Sequence, residues 1–260
     1  MTHRAPEQPA AFPADGQRRL VGVGVGPGEP GLITVKAVRT LEASDVILVP
    51  STEKSSDDSG RAETIVRATC VVEDARVRRV PFSMADRSGV TERRSKAWDT
   101  SAAAAIEAFE GGASTVSFAT VGDPSVYSTF SYLASSVLER LPDVHIEVVP
   151  GITAMQALAA ASRTPLVEGT EVLALVPVTS GLESLERAGR LADTVVAYKA
   201  GRRLPEVVER LRSAARTTVV GTDIGLPGER ITPADELDGP APYFSTVLSA
   251  PNRTITGGRL

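Results

Sequence analysis

Three apolar runs in this chain each end in a glycine-bearing turn followed by a helical pattern, and no other feature narrows the available folds as much. GVGVGPG (Gly22 to Gly28) closes the run Leu20–Val25, VGDPSVY (Val121 to Tyr127) follows Thr115–Ala119, and VPGITA (Val149 to Ala154) closes His145–Val149. Runs rich in β-branched residues and bounded by turn residues read as buried strands. Glycine reaches positive φ and lets a ligand approach the backbone with no Cβ between them. In open parallel sheets, ligands lie at the carboxyl ends of the strands. The three turns therefore read as parts of one site.

Between the turns, strands and helices alternate. Strands are expected at Leu20–Val25, Val46–Val49, Arg76–Pro81, Thr115–Ala119 and His145–Val149, and helices at Gly31–Ala43, Glu63–Thr69, Thr91–Glu110 and Ser128–Leu141. Gly111-Gly112 is a helix stop. Such alternation predicts an α/β fold with a mostly parallel sheet covered by helices. Past Gly151 the rhythm changes. Helices are expected at Thr153–Ser162 (with Thr153 as its cap), Leu182–Leu191 and Leu204–Ala214. Strands are expected at Val172–Pro177, Thr194–Tyr198, Thr217–Gly221 and Tyr243–Ser249. The simplest division is a disordered tail over 1–17, an α/β domain over 18–150 and a second α/β domain over 151–260. Ser51–Gly60 is polar and turn-rich, either a lid or a plain linker.

Composition removes several classes. The formal charge of −4 gives no general attraction to nucleic acid or anionic membranes. No apolar stretch approaches a membrane span, and the N-terminal residues lack the apolar core of a signal peptide. The single cysteine, Cys70, excludes an internal disulfide and fits a reducing compartment, so the expected location is the cytoplasm. The two histidines, His3 and His145, read as incidental, and no metal site is expected. A nicotinamide site is disfavoured. Pro27 stands where a dinucleotide turn needs a free N–H, and Pro50 and Ser51 stand where an acidic residue would hold a ribose. Taken singly, Gly122-Asp123-Pro124 is an ordinary turn with Asp123 as a helix cap, and Tyr127 is half-buried packing.

Taken together, GVGPGEPGLITVKAVRTL (Gly24 to Leu41), VGDPSVY, VVPGITA (Val148 to Ala154), VVAYKAGRRLPEVVERL (Val195 to Leu211) and GLPGERI (Gly225 to Ile231) resemble the tetrapyrrole methyltransferases. The resemblance covers almost the whole chain after the tail. It implies two unequal α/β domains with a cofactor cleft between them, a homodimer, and S-adenosylmethionine as methyl donor, leaving S-adenosylhomocysteine. Carried over residue by residue, it implies that Pro27 lines the cleft. Val121, Gly122, Asp123, Val126 and Tyr127 would form the middle loop, Thr153 and Ala154 would meet the cofactor, and Lys199 and Gly225 would come from later loops. Lys199 departs from the broad family, which often has Met there, and looks like one subgroup.

Gly122 to Leu141, PLVEGTEVLALVP (Pro165 to Pro177) and PYFSTVLS (Pro242 to Ser249) are similar to the enzymes that methylate C20 of precorrin-2 in cobalamin biosynthesis. Methylation of cobalt-factor II or of another corrin-ring position is the alternative inside the class, and a nucleotide-binding oxidoreductase the alternative outside it. A third alternative is a binding module that keeps the cleft without turnover. A sulfonium methyl is already activated, so alignment and water exclusion supply the chemistry, and no catalytic acid or base is named. A carboxylate-rich tetrapyrrole calls for arginine. Candidates are Arg76, Arg78, Arg79, Arg93, Arg94 and Lys96, each more simply a solvated edge or helix face, or else Arg202 and Arg203.

Overall fold

The computed structural model describes residues 16–51, 59–81, 92–213, 215–237, 239, 241–242 and 244–253 (backbone only for 92–95 and 180). Most of the expected tail, His3, most of the candidate lid, the side chains of Arg93 and Arg94, and Tyr243 lie outside the described residues. Two compact units divide the chain, Met1–Thr153 and Ala154–Leu260.

In the first unit the elements run β1 (Arg19–Gly24), α1 (Val35–Ala43), β2 (Val46–Ser51), α2 (Arg61–Thr69), β3 (Val77–Pro81), α3 (Glu92–Glu110), β4 (Thr115–Thr120), α4 (Phe130–Arg140) and β5 (His145–Val149). The strands form one parallel sheet in the order β3-β2-β4-β1-β5. Both faces are covered, which is why the central strands β1, β2 and β4 are buried along most of their length rather than alternating, while the edge strands β3 and β5 are partly exposed. On one face Val21, Val23, Ile47 and Val49 pack with Ala37, Leu41, Ile65 and Val66 of α1 and α2. On the other, Leu20, Leu48, Val116 and Phe118 pack with Ala105, Phe109, Phe130 and Leu133 of α3 and α4. The edge strand β5 carries Glu147, which pairs with Lys36 at 3.3 Å and Arg19 at 3.7 Å. Charge there discourages pairing with another chain.

The expected helix at Gly31 begins four residues later. Pro30–Leu32 forms a 3-10 turn, and the Thr34 hydroxyl then accepts the Ala37 N–H at 3.1 Å to cap α1. At the far end of α3 the glycine stop is a full Schellman motif. Gly112, at φ 98°, donates to the Phe109 carbonyl, and Ala113 donates to Ala108.

The second unit contains α5 (Ala154–Ser162), β6 (Leu173–Pro177), α6 (Leu182–Leu191), β7 (Thr194–Tyr198), α7 (Leu204–Leu211), β8 (Arg216–Thr222), β9 (Arg230–Pro233) and β10 (Ser245–Pro251). Its sheet is mixed, in the order β6-β7-β10-β8-β9. Only β6 and β7 are parallel, and the last strand inserts antiparallel between β7 and β8. Val195, Ala197, Val220 and Val247 pack under Leu185, Leu204, Val207 and Leu211 of α6 and α7. The Leu158 side chain of α5 approaches β8 at Gly221, where an added Cβ would lie 2.8 Å from Leu158 and 2.6 Å from Ile224.

Helix α5 also ends in a Schellman motif: Arg163 donates to the Ala160 carbonyl and Thr164 to Ala159. Here, however, the left-handed residue is Arg163, at φ 56°. An L-residue pays about 1–2 kcal/mol for this conformation, while glycine loses about 0.5–1 kcal/mol more chain entropy on folding. Strain relief wins, so Arg163→Gly is expected to stabilise the protein by about 0.5–1 kcal/mol. Urea denaturation of the two proteins checks it; a destabilised variant would show that the Arg163 side chain contributes more than its backbone costs.

Candidate active site

The three glycine turns follow three adjacent strands. In register, Gly24 lies beside Thr120 of β4 and Val23 beside Val149 of β5, so the turns leave the sheet at one level. Beyond the strands the backbones stay in contact. Val25 N–H donates to Thr120 O at 2.9 Å, and Gly122 N–H donates to Gly26 O at 2.8 Å. The Gly122 carbonyl sits between the other two glycines. A Cβ on Gly24 would lie 2.5 Å from it, and one on Gly151 only 2.1 Å. Gly26 and Gly122 have φ of 85° and 76°, which a side chain would strain. Pro27 and Gly28, next along the first turn, are buried.

Asp123 joins the turns. Its Oδ1 accepts the Ser125 N–H at 2.7 Å, and its Oδ2 accepts the Gly151 N–H at 2.9 Å. The simple reading of Asp123 as the cap of the following helix is corrected. Helix α4 begins at Phe130, too far on for that carboxylate, and Ser128 Oγ accepts the Phe130 N–H instead. Within the loop the Val126 N–H donates to the Asp123 carbonyl at 3.2 Å. Tyr127 is 43 % exposed, and its backbone is left-handed at φ 51°, a strained conformation for a bulky residue. The third turn continues through the buried Thr153 into α5, whose first residue is Ala154. Pro27, Val121, Gly122, Asp123, Val126, Tyr127 and Thr153 thus belong to three interlocked turns of the first unit, and Ala154 follows directly.

In the second unit Lys199, at φ 60°, directly follows β7, whose last residue is Tyr198. Gly225, at φ 77°, follows β8, and its N–H donates to Glu229 Oε2 at 2.7 Å. Four described non-glycine residues have left-handed backbone: Tyr127, Arg163, Lys199 and Asp223. Two of them are sequence-predicted site residues, and Asp223 stands two positions from Gly225. Strain of this kind collects at functional sites. One contact gave no signal in the sequence: Tyr198 Oη accepts the Met155 N–H at 3.2 Å, at the start of α5.

The arginine candidates divide. Arg76 is no solvated edge residue; its guanidinium donates to the carbonyls of Glu42 and Ser44 at the end of α1. Arg79 is held by Glu63, and Arg203 pairs with Glu206. Arg78 approaches Glu107 only at 4.0 Å, while Lys96 and Arg202 are exposed. Cys70 is buried, its thiol pushed up by burial. Among the described residues, no group of three or more His, Cys, Asp or Glu is placed to hold a metal ion, and no helix is long and apolar enough to cross a membrane.

A cradle of glycine backbone at the carboxyl ends of parallel strands, tied by one carboxylate, suits a small ligand held by main-chain groups. Its Pro27 turn lacks the N–H array of a pyrophosphate site. The fold is an α/β one with its candidate site at the strand ends, and the chain belongs to the tetrapyrrole (corrin/porphyrin) methylases, whose family profile matches residues 19–238. Among individual relatives it is 35% identical to the precorrin-2 C(20)-methyltransferase of Sinorhizobium sp, over 90% of this chain and 95% of that protein. It is 32% identical to the cobalt-precorrin-2 C(20)-methyltransferase of Salmonella typhimurium, over 88% and 95%. The same fold occurs in a cobalt precorrin-4 methyltransferase (TM-score 0.67, 22% identity, 92% and 97% of the chains covered). It occurs also in the uroporphyrin-III C-methyltransferase of Thermus thermophilus complexed with S-adenosylhomocysteine (TM-score 0.63, 21% identity, 88% and 96%).

Proposed function

We propose that this protein transfers a methyl group from S-adenosylmethionine to C20 of precorrin-2, giving precorrin-3A and S-adenosylhomocysteine in cobalamin biosynthesis. The observation that carries this reading is the match, over 90% of this chain and 95% of that protein, to a relative named for this reaction at 35% identity. Residues held for the cofactor are Pro27, Val121, Gly122, Val126, Tyr127, Thr153 and Ala154, with Lys199 and Gly225 of the second unit, and Asp123 belongs to the same loop through its hold on two of the turns.

The bound cofactor supplies a methyl group already activated on a sulfonium. The chain's own task is then placement. Gly24, Gly122 and Gly151 bring three backbones together without side chains between them. Asp123 spans two of the turns, and Tyr127 holds a strained backbone at the loop tip. Rigid placement of two reactants lowers the barrier by converting a bimolecular encounter into an oriented one. The reaction forms a C20–methyl bond as the sulfonium–methyl bond breaks to leave the thioether of S-adenosylhomocysteine, and it releases the C20 proton.

Anaerobic incubation with precorrin-2 and S-adenosylmethionine, with mass spectrometry and NMR of the product, tests the reading. One methyl added at C20 is the expected result; methylation elsewhere, or none, overturns it. The relative acting on cobalt-precorrin-2 favours a second reading, a cobalt-loaded ring, and a parallel incubation with that substrate separates the two. S-adenosylhomocysteine is expected to raise the melting temperature and NADH to leave it unchanged, since selective binding stabilises the folded state. The same reading makes the protein a cytoplasmic homodimer, with the family resemblance as support for the dimer and the single cysteine as support for the compartment.

A further inference from the structure

The geometry points to Asp123 and Tyr198 as positioning residues that pin the segment Gly151–Met155 at its two ends and so set cofactor affinity. That consequence rests on the cofactor reading above. The segment is five residues long, contains Thr153 and Ala154, and runs from the last strand of the first unit into the first helix of the second. Residues that must present a ligand site from a linking segment need an external hold, because the segment makes no ladder hydrogen bonds of its own.

Each end has one. At the start, the Gly151 N–H donates to Asp123 Oδ2 at 2.9 Å. The other oxygen of the same carboxylate accepts the Ser125 N–H at 2.7 Å, so the anchor is itself fixed within the middle loop. Hydrogen bonds to an ionised carboxylate are the stronger kind. At the end, the Met155 N–H donates to the Tyr198 phenol oxygen at 3.2 Å. Met155 is the second residue of α5, where the N–H has no partner within the helix. An N-capping side chain normally meets such an N–H; here a phenol from the end of β7, 43 residues away in sequence, does so. The first pin lies within the first unit and the second within the other. Gly151 has no side chain to anchor it, and its backbone lies against those of Gly122 and Gly24, where a Cβ would meet Gly122 O at 2.1 Å. The hydrogen bond to Asp123 is the directional contact that orients its N–H there.

The test uses the full chain and the variants Asp123→Asn, Tyr198→Phe and the double. Two quantities are read: amide hydrogen exchange in the ligand-free protein and the Kd for S-adenosylhomocysteine by calorimetry. Asparagine keeps the shape but offers one acceptor oxygen; the Ser125 N–H, two residues on and the shorter bond, keeps that oxygen, so the bond to Gly151 is the one lost. In Asp123→Asn the Gly151 amide is expected to exchange about tenfold faster and the Kd to rise about tenfold, the loss of one charged hydrogen bond. Tyr198→Phe speeds exchange at Met155 and raises the Kd about threefold, as for a neutral bond. Because both pins hold one segment, the double variant loses less than the product of the single losses.

Local pinning leaves exchange in β1 and β4 unaltered, whereas a merely structural role would speed it throughout the unit. 5′-Methylthioadenosine, which lacks the amino-acid part of the cofactor, is expected to weaken by the same factor as S-adenosylhomocysteine. A loss confined to the larger ligand would make Asp123 a direct contact and overturn the proposal. Unchanged Gly151 exchange in Asp123→Asn, or a Kd within twofold in both single variants, also overturns it. The two failures separate. If the unaltered chain binds no S-adenosylhomocysteine, the cofactor reading falls along with the affinity consequence. If it binds normally while the variants change nothing, the pinning alone falls.

Discussion

Gly151→Ala is expected to abolish measurable S-adenosylhomocysteine binding, with at least about a 100-fold loss of affinity and a matching loss of methyl transfer. A displacement of about 1 Å at a positioned site costs on that order. The new Cβ would stand 2.1 Å from Gly122 O and 2.8 Å from Gly24 Cα. Those neighbours are backbone at the ends of β4 and β1, and neither can rotate away as a side chain would. The third turn must therefore lift, which also pulls the Gly151 N–H from Asp123. Gly112→Ala is the control. That glycine also has positive φ, yet nothing lies within 4 Å of the added Cβ, and it stands at the end of α3. It should lose about 1 kcal/mol of stability and no affinity. Calorimetry and urea denaturation on both variants decide the matter. Normal ligand binding by Gly151→Ala would mean that the three turns do not need this contact.

Glu63→Ala is expected to destabilise the protein by about 1–3 kcal/mol, since the carboxylate is buried but the arginines left behind, 37 % and 38 % exposed, can turn to water. Glu63 is 1 % exposed on α2. Its carboxylate accepts from Arg67 Nε at 2.9 Å and from Arg79 at 2.7 Å (Nε) and 3.2 Å (Nη2). Arg67 also pairs with Asp74. Without Glu63, the guanidiniums that join α2 to β3 lose their shared counter-charge. Burial pushes the Glu63 carboxyl up, but the hydrogen bonds and charges of Arg79 and Arg67 outweigh it and hold the group below its ordinary value. A depressed folded-state pKa means that this stability is present above the unfolded pKa and is lost as pH falls through the folded one. In urea denaturation the gap between the wild-type protein and Glu63→Gln should be full at neutral pH and narrow below about pH 4, where carboxylates begin to protonate. A gap that widened in acid would show that the charge on Glu63 is not what stabilises the contact.

Much of the architecture was legible from local chemistry. His145–Val149, Leu182–Leu191 and Thr194–Tyr198 have the expected bounds: Pro150 follows the first, Gly181 opens the second, and Asp193 precedes the third. The start of α1 was misjudged because Gly31 and Leu32 fit the helical spacing, whereas Pro30 closes a 3-10 turn first and Thr34 supplies the real cap. Strand β9 was missed: four residues on a sheet edge, ending in Pro233, carry too little periodicity to register. Arg76 and Arg79 read as solvent-facing because their partners, the end of α1 and Glu63, are distant in sequence. The antiparallel insertion of β10 between β7 and β8 was likewise invisible, since strand direction leaves no mark on a strand's own residues.

By itself the sequence determined where the turns fall and which of them need glycine, because positive φ and close backbone approach are properties of single residues. It also carried the family resemblance, through motifs spread along nearly the whole chain. Only the tertiary structure decided that β4 and β5 flank β1, which sets the three turns side by side at one sheet edge. Only it showed Asp123 reaching 28 residues on to Gly151, and Tyr198 reaching 43 back to Met155. Hydrogen-bond partners chosen across such separations depend on how strands order themselves in a sheet. The periodicity of a run fixes which faces are buried, not which run lies beside it.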